Sequence, residues 1–215
     1  MKKDTRRKLC YAVGLLLSFG FWTLLACFVD RQAIGPENST VGFATINYFV
    51  HHLTGVHMQL YTITDWLSLL PVAFVMGFAA LGLVQWIKRK RIKYVDYNIW
   101  VLGGFYLVVM AVYILFEMIP VNYRPVLIEG VLEASYPSST TMLVMCVMPT
   151  AMMQFHVRIE KRLVRRILLI LIAFFIAFMV VGRLMSGVHW FSDIIGGILL
   201  SAGLVMLYRW FLELR

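Results

Sequence analysis

The chain has 215 residues, a hydrophobic content of 61% and a mean hydropathy of +0.80. So apolar a composition excludes an ordinary water-soluble domain. The net charge of +9 is large enough for a nucleic-acid-binding protein, but the cations cluster beside long apolar segments, which argues against that class.

Six apolar blocks follow one another along the chain, each long enough, or nearly so, to cross about 30 Å of hydrocarbon as a helix. Because backbone groups in lipid are satisfied only within helices or closed barrels, the blocks predict an all-α integral membrane bundle of six transmembrane helices. No linker or repeat interrupts them, so we expect residues 1–215 to form a single domain. We expect the first block to remain as an uncleaved anchor. The predicted spans are residues 10–29, 66–87, 98–119, 138–155, 167–186 and 189–211.

Lysine and arginine are distributed very unevenly over the two sides of this arrangement. One side carries only Arg31, Arg124 and Arg183. The positive-inside rule therefore places both termini in the cytoplasm, as expected for a multi-pass protein of the cell membrane. A basic patch for anionic membrane lipids is an alternative reading of the same charges, whereas nucleic acid is not an expected partner. The cytoplasmic cations are Lys2, Lys3, Arg6, Arg7, Lys8, Lys88, Arg89, Lys90, Arg91, Lys93, Arg158, Lys161, Arg162, Arg165, Arg166, Arg209 and Arg215.

Three segments face outward in this topology: residues 30–65, 120–137 and 183–189. The first mixes aromatic and polar residues and is compatible with an interfacial helix. The second ends in Pro137 and Ser138, a pattern that predicts a helix start. The unsatisfied N–H groups and positive end of such a helix favour an anion.

The third outward segment places Arg183, His189 and Asp193 where hydrocarbon would otherwise be expected. Ionisable groups at such a depth are costly, so they indicate a functional site. Arginine suits phosphate, histidine suits nucleophilic attack, and an aspartate four residues later can orient the imidazole. The trio predicts phosphoryl chemistry at a membrane.

These residues resemble the motifs of the phosphatidic acid phosphatase type 2 family of membrane lipid phosphatases. The third family motif, Ser-Arg-x5-His-x3-Asp, is matched by Arg183, His189 and Asp193, with Gly182 in place of the serine. The second motif, Pro-Ser-Gly-His, is matched by Pro137 and Ser138 but continues with Ser139 and Thr140. Of the first motif, Lys-x6-Arg-Pro, the chain keeps Arg124-Pro125 and has Glu117 at the lysine position.

The resemblance implies a role for each matched residue. His189 would attack phosphorus and form a phosphohistidine, while Asp193 would hold one ring N–H. Arg124 and Arg183 would clamp the phosphate oxygens. Ser138, with backbone groups at Ser139 and Thr140, would complete the cradle, and neither a metal nor another cofactor is implied.

The departures bear on the substrate. The family uses the histidine of its second motif to protonate the leaving alcohol, and the Thr140 hydroxyl is too weak an acid for this step. Three alternatives follow. The leaving group is itself a phosphate, as in a prenyl diphosphate; another acid replaces the histidine; or hydrolysis has been lost. The substitute acids on the correct side are Glu117, Glu133, His51 and His52, of which a buried Glu117 with a raised pKa is the main candidate.

The sequence therefore predicts an integral-membrane phosphatase that hydrolyses a lipid phosphate or prenyl diphosphate at the extracytoplasmic face. Two other functions stay open: a phosphotransferase with an acceptor other than water, and a non-catalytic lipid-phosphate binder. A transporter is disfavoured, because the ionisable groups cluster at one face and form no relay across the bilayer.

Overall fold

The computed structural model describes residues 3–214 of the chain. Two cations counted in the charge prediction, Lys2 and Arg215, lie outside the described residues. The described chain folds into eight α-helices with short connections. They are α1 (Lys3–Phe28), α2 (Ala44–Thr54), α3 (Met58–Leu67), α4 (Leu69–Arg89), α5 (Tyr97–Met118), α6 (Ser139–Arg158), α7 (Arg162–Met185) and α8 (Phe191–Leu212).

The predicted all-α architecture is confirmed, with six helical segments long and apolar enough to span a membrane within the described residues. The second segment starts earlier than predicted: α3 and α4 together run over Met58–Arg89, interrupted only near Ser68, whereas the sequence placed the start at residue 66. Thr64 and Asp65 look like loop residues in the sequence. In the fold, the Thr64 hydroxyl donates to the carbonyls of Leu60 and Tyr61, which satisfies it within the helix.

Helices α6 and α8 form the centre of the bundle. In their most apolar stretches 56% and 61% of the residues are buried, against 11–22% in the other four segments. The peripheral helices instead expose large apolar side chains such as Leu17, Phe21, Ile170 and Phe174. Such a surface is compatible with lipid rather than water.

Two glycines of α8 let other segments of the protein pack closely against this helix. A Cβ added at Gly196 would lie 2.7 Å from the Tyr136 ring, and one at Gly203 would lie 2.8 Å from Leu16. Gly196 and Gly203 therefore allow the loop before α6 and helix α1, respectively, to pack closely against α8. At Gly182, where the family has serine, an added Cβ would come within 2.9 Å of Thr64 Cγ2, so α3 occupies the space that a side chain would need.

Charged residues tie the helices together at the bundle end that carries the basic clusters. Lys8 of α1 contacts Glu213 just after α8. Asp96, just before α5, pairs with Arg89 at 2.7 Å and with Arg158 at 3.6 Å. The Arg89 guanidinium holds the pKa of the Asp96 carboxyl below its usual range. Arg124 and Arg183 lie in the outward segments at the opposite end.

Candidate active site

The site forms where the connection between α7 and α8 meets the loop before α6. Asp193 lies in the first turn of α8, and its Oδ2 accepts the Trp190 N–H at 3.0 Å, so it caps this helix. Its Oδ1 accepts the Asn122 amide at 3.2 Å. The carbonyl of Asp193 accepts the Ser138 N–H at 3.1 Å, which joins the beginnings of α6 and α8.

His189 does not contact Asp193 in the way the sequence predicts. Its Nδ1 lies 4.0 Å from Asp193 Oδ2, too far for a hydrogen bond. The Ser135 hydroxyl lies between them, 3.0 Å from Nδ1, and donates to Asp193 Oδ2. The four-residue spacing brings the two side chains to one face of the turn, as expected, but a third residue from another segment fills the gap.

His189 is buried and surrounded by positive charge. Burial lowers its pKa well below the usual 6.5, and the nearby Arg124 and Arg183 lower it further. The imidazole is therefore neutral near pH 7 and keeps a lone pair. Its Nε2 is buried and has no hydrogen-bond partner among residues 3–214.

Arg124 and Arg183 are both buried, and each has one carboxylate beside it. Arg124 Nε lies 3.0 Å from Glu133 Oε2, and the backbone N–H of Arg124 donates to the Glu133 carbonyl at 3.0 Å. Arg183 Nη1 lies 3.3 Å from Thr64 Oγ1 and 3.7 Å from Asp65 Oδ1. The Tyr61 ring lies under the Arg183 guanidinium, with its centroid 5.0 Å away.

Several buried nitrogen atoms of the two arginines and of His189 have no hydrogen-bond partner within the described part of the chain. They are Arg124 Nη1, Arg183 Nε and His189 Nε2; Arg124 Nε has only its ion pair with Glu133. A buried unpaired donor costs about 1–3 kcal/mol, and more when it is charged. Arg124 and Arg183 thus have unused donors near a neutral imidazole, an arrangement that is chemically suited to an anion.

The start of α6 has the form predicted from Pro137 and Ser138. Ser138 is the N-cap, and its hydroxyl accepts the Thr141 N–H at 3.4 Å. The first turn leaves the N–H groups of Ser139 and Thr140 without intrahelical acceptors. The Ser138 N–H is engaged by the Asp193 carbonyl, but its hydroxyl only accepts and keeps its own hydrogen, so this hydroxyl and the N–H groups of Ser139 and Thr140 are all free to donate to an anion.

Glu117 is not buried, although the hypothesis of a buried substitute acid requires burial. It lies in the last turn of α5, is exposed, and has no ion pair with Arg124 or Arg183. It lines a cleft with a cavity volume of about 10 Å³ together with Ser135 and Ser139, which is room for about one water molecule. The structure thus places Glu117 beside the site as an exposed carboxylate.

The helices α2 and α3 hold the α7–α8 connection from outside. Asn47 of α2 donates to Ser192 Oγ at 2.8 Å and accepts the Ser192 N–H at 3.0 Å. Nε2 of His51 lies 3.0 Å from the Gly187 carbonyl oxygen, and the His51 ring packs against Trp190. The backbone N–H of His57 donates to the Ser186 carbonyl. His51 and His57 therefore contact the backbone of the α7–α8 connection.

The sequence analysis missed several residues that complete the site. Ser135 and Asn122 contact the His189–Asp193 pair, while Tyr61, Thr64 and Asp65 support Arg183. The only available signal was their position in outward segments that also carry motif residues. Nothing in their spacing indicates which side chain they meet.

The described residues form a helical bundle with six segments long and apolar enough to span a membrane, and Arg124, Arg183 and His189 lie together at one end of it. Residues 117–215 match the model of the PAP2 superfamily and include every motif residue named above. The resemblance indicated by the motifs is therefore confirmed over residues 117–215, the part of the chain that matches this superfamily's model.

A solved structure supports the same fold over nearly the whole chain. The chain is similar to the first transmembrane PAP2 type phosphatidylglycerolphosphate phosphatase from Bacillus subtilis, with a TM-score of 0.59 and 20% identity over 94% of this chain and 96% of that one. At that identity the likeness establishes the fold. No curated protein matches the chain.

Proposed function

We propose that the protein is a membrane lipid phosphatase that transfers phosphate from a lipid phosphate or prenyl diphosphate to His189 and then to water. The observation that carries the proposal is that Arg124 and Arg183, each with buried unpaired nitrogen atoms, lie close enough to His189 to lower its pKa, while His189 Nε2 has no hydrogen-bond partner in the described chain. The PAP2 superfamily match over residues 117–215 supports a phosphatase role for this arrangement.

The geometry supports a two-step route. Nε2 of His189 forms a bond to phosphorus as the bond to the leaving oxygen breaks, and that oxygen keeps the electron pair. Arg124, Arg183 and the N–H groups at the start of α6 stabilise charge on the other phosphate oxygens. Water then attacks the phosphohistidine, releases phosphate and a proton, and restores the neutral imidazole. The residues of this route require no metal or cofactor.

The leaving group decides the preferred substrate. Thr140 stands where the family has its acid, and a general acid contributes about 10²–10⁴-fold to such a step. A prenyl diphosphate avoids the loss, since its leaving group is a phosphate that departs without a proton. For a phosphomonoester, Glu117 is the proposed substitute donor, acting through the one-water cleft that it shares with Ser135 and Ser139.

The membrane side of the site follows from charge. The basic clusters lie at the end of the bundle away from Arg124 and Arg183, so the positive-inside rule directs the site to the extracytoplasmic face. A lipid substrate of the outer leaflet would reach it there.

The deciding experiment is phosphate release by the purified full chain from four substrates: a prenyl diphosphate, a prenyl monophosphate, phosphatidic acid and phosphatidylglycerolphosphate. We expect turnover to be fastest with the diphosphate and to disappear in His189→Ala. His156→Ala is the matched control, because this histidine lies at the other end of the bundle and should leave the rate unchanged.

Two further variants test which residue donates the proton to the leaving group. Thr140→His should raise phosphatidic acid turnover more than diphosphate turnover, and Glu117→Gln should lower only the turnover of monoesters. Turnover that survives His189→Ala would contradict the nucleophile assignment. A wild-type protein that binds the lipids without releasing phosphate would instead establish the non-catalytic function, and phosphate found on a second lipid would establish a phosphotransferase.

A further inference from the structure

Ser135 occupies a position between the aspartate and the histidine that no motif assigns to it. Its buried hydroxyl is 3.0 Å from His189 Nδ1 and is hydrogen bonded to Asp193 Oδ2, whereas the direct distance between those two atoms is 4.0 Å. Any influence of the Asp193 carboxylate on the imidazole through hydrogen bonds therefore passes through this hydroxyl.

The directions of the two hydrogen bonds follow from the chemistry of the groups. An ionised carboxylate only accepts, so the Ser135 O–H donates to Asp193. A hydroxyl that has donated its hydrogen can only accept from the ring, so the proton of the neutral imidazole is on Nδ1. The lone pair is then on Nε2, the atom without a partner.

The Ser135 backbone is held independently of this chain of hydrogen bonds. Its N–H donates to the Asn122 carbonyl at 2.9 Å, and the neighbouring Tyr136 hydroxyl is 2.8 Å from Thr23 Oγ1. Asn122 also donates its side-chain amide to Asp193 Oδ1. Asn122, in the loop before α6, thus holds both the backbone of Ser135 and the carboxylate of Asp193.

We propose that Ser135 is a positioning residue that transmits the Asp193 hydrogen bond to the His189 nucleophile and fixes its reactive tautomer. The inference rests on the proposed function. As Nε2 bonds to phosphorus, the ring becomes positively charged and keeps its Nδ1 proton. The Ser135 oxygen accepts that N–H more strongly, while the carboxylate stabilises the charge through the hydroxyl dipole.

Kinetics with a double-mutant cycle test the proposal. We expect Ser135→Ala to lower kcat by about 10–100-fold, the scale found for partners that orient a functional imidazole, with KM nearly unchanged. Ser135→Thr keeps the hydroxyl and should restore most of the rate. Ser201→Ala is the matched control, because it removes another buried serine hydroxyl from α8, far along the helix from the site.

A double-mutant cycle with Asp193→Asn distinguishes an effect of Asp193 that passes through Ser135 from independent structural effects of the two substitutions. If the aspartate acts through the serine, the double variant is about as slow as Asp193→Asn alone. If the kcat of the double variant is reduced by the product of the two single reductions, the proposal is overturned. A Ser135→Ala enzyme with wild-type kcat would also overturn it.

A measurement that needs no turnover distinguishes this inference from the proposed function. In ¹⁵N-histidine-labelled protein, the His189 signals, assigned with His189→Ala, should show the Nδ1–H tautomer in the wild type. They should show a mixture of tautomers in Ser135→Ala. An unchanged tautomer would refute the role of Ser135 even if the protein were inactive on every lipid. Conversely, a lost tautomer preference in a protein without turnover would leave the inference standing and reject only the phosphatase activity.

Discussion

At the scale of single residues, the site contains arginines that could bind a phosphate and carboxylates that pair with those arginines when no phosphate is bound. Arg124 and Arg183 each lie beside one partly exposed carboxylate, Glu133 and Asp65 respectively. In each pair the guanidinium is buried and the carboxylate reaches solvent, so a phosphate with several charge-assisted hydrogen bonds could replace the carboxylate as the partner of the arginine. The carboxylates keep two buried cations compatible with folding before the substrate binds.

The two arginines affect the protonation state of His189, the proposed nucleophile. Because burial and the two arginines lower the pKa of His189, the reactive neutral form should persist as the pH falls below 6.5. The acid limb of kcat/KM that belongs to His189 should therefore have its midpoint below pH 6.5, and Arg183→Gln should move the midpoint upward by removing one opposing charge.

An NMR titration of His189 separates its ionisation from that of the substrate phosphate. A His189 midpoint at or above pH 6.5 in the wild type would contradict this expectation. Arg31→Gln serves as the charge-matched control, since Arg31 is exposed and bonded to Cys27 and Thr40, and it should leave the midpoint in place.

At the scale of helices, α2 and α3 pack against the α7–α8 connection and hold it in place. Gly187 has a φ of +70°, and a Cβ there would come within 2.1 Å of the Gly55 carbonyl oxygen. This close approach lets α2 and α3 reach the residues next to His189. The catalytic turn is thus held by hydrogen bonds from helices that carry no motif.

Asn47→Ala tests this packing of α2 against the connection. The change removes both of the hydrogen bonds to buried Ser192, and an unsatisfied buried group costs about 1–3 kcal/mol. We expect the apparent Tm in detergent to fall by several degrees and kcat to fall with it. Asn98→Ala is the control, because Asn98 is half-buried at the other end of the bundle. Equal effects of the two changes would show that the contact with α8 is unimportant.

The sequence predicts the helices better than their contacts. Apolar length alone identifies six spans, and the motif spacing brings His189 and Asp193 to one turn. The start of the second segment was misplaced because Thr64 and Asp65 are polar, and their partners, a backbone carbonyl and Arg183, become visible only in the fold. Ser135 was missed for a related reason: the gap that it fills depends on how the loop before α6 packs against α8.

At the scale of the whole molecule, charge and chemistry divide the bundle into two ends. One end carries the basic clusters and the ion pairs of Lys8 and Asp96, and the other carries the candidate site. This division predicts which end faces the cytoplasm, because positive residues are retained on that side of a membrane.

Single cysteines placed at each end test the orientation. The background replaces Cys10 and Cys27 by serine and keeps Cys146, which is buried. Ala33→Cys puts a thiol in the exposed segment after α1, at the end of the site, and Lys93→Cys puts one in the exposed connection between α4 and α5. On intact cells, a membrane-impermeant maleimide should label only the cysteine at position 33. Permeabilised cells should show both, which controls for thiol reactivity. Labelling of position 93 alone on intact cells would reverse the topology and place the phosphate site in the cytoplasm.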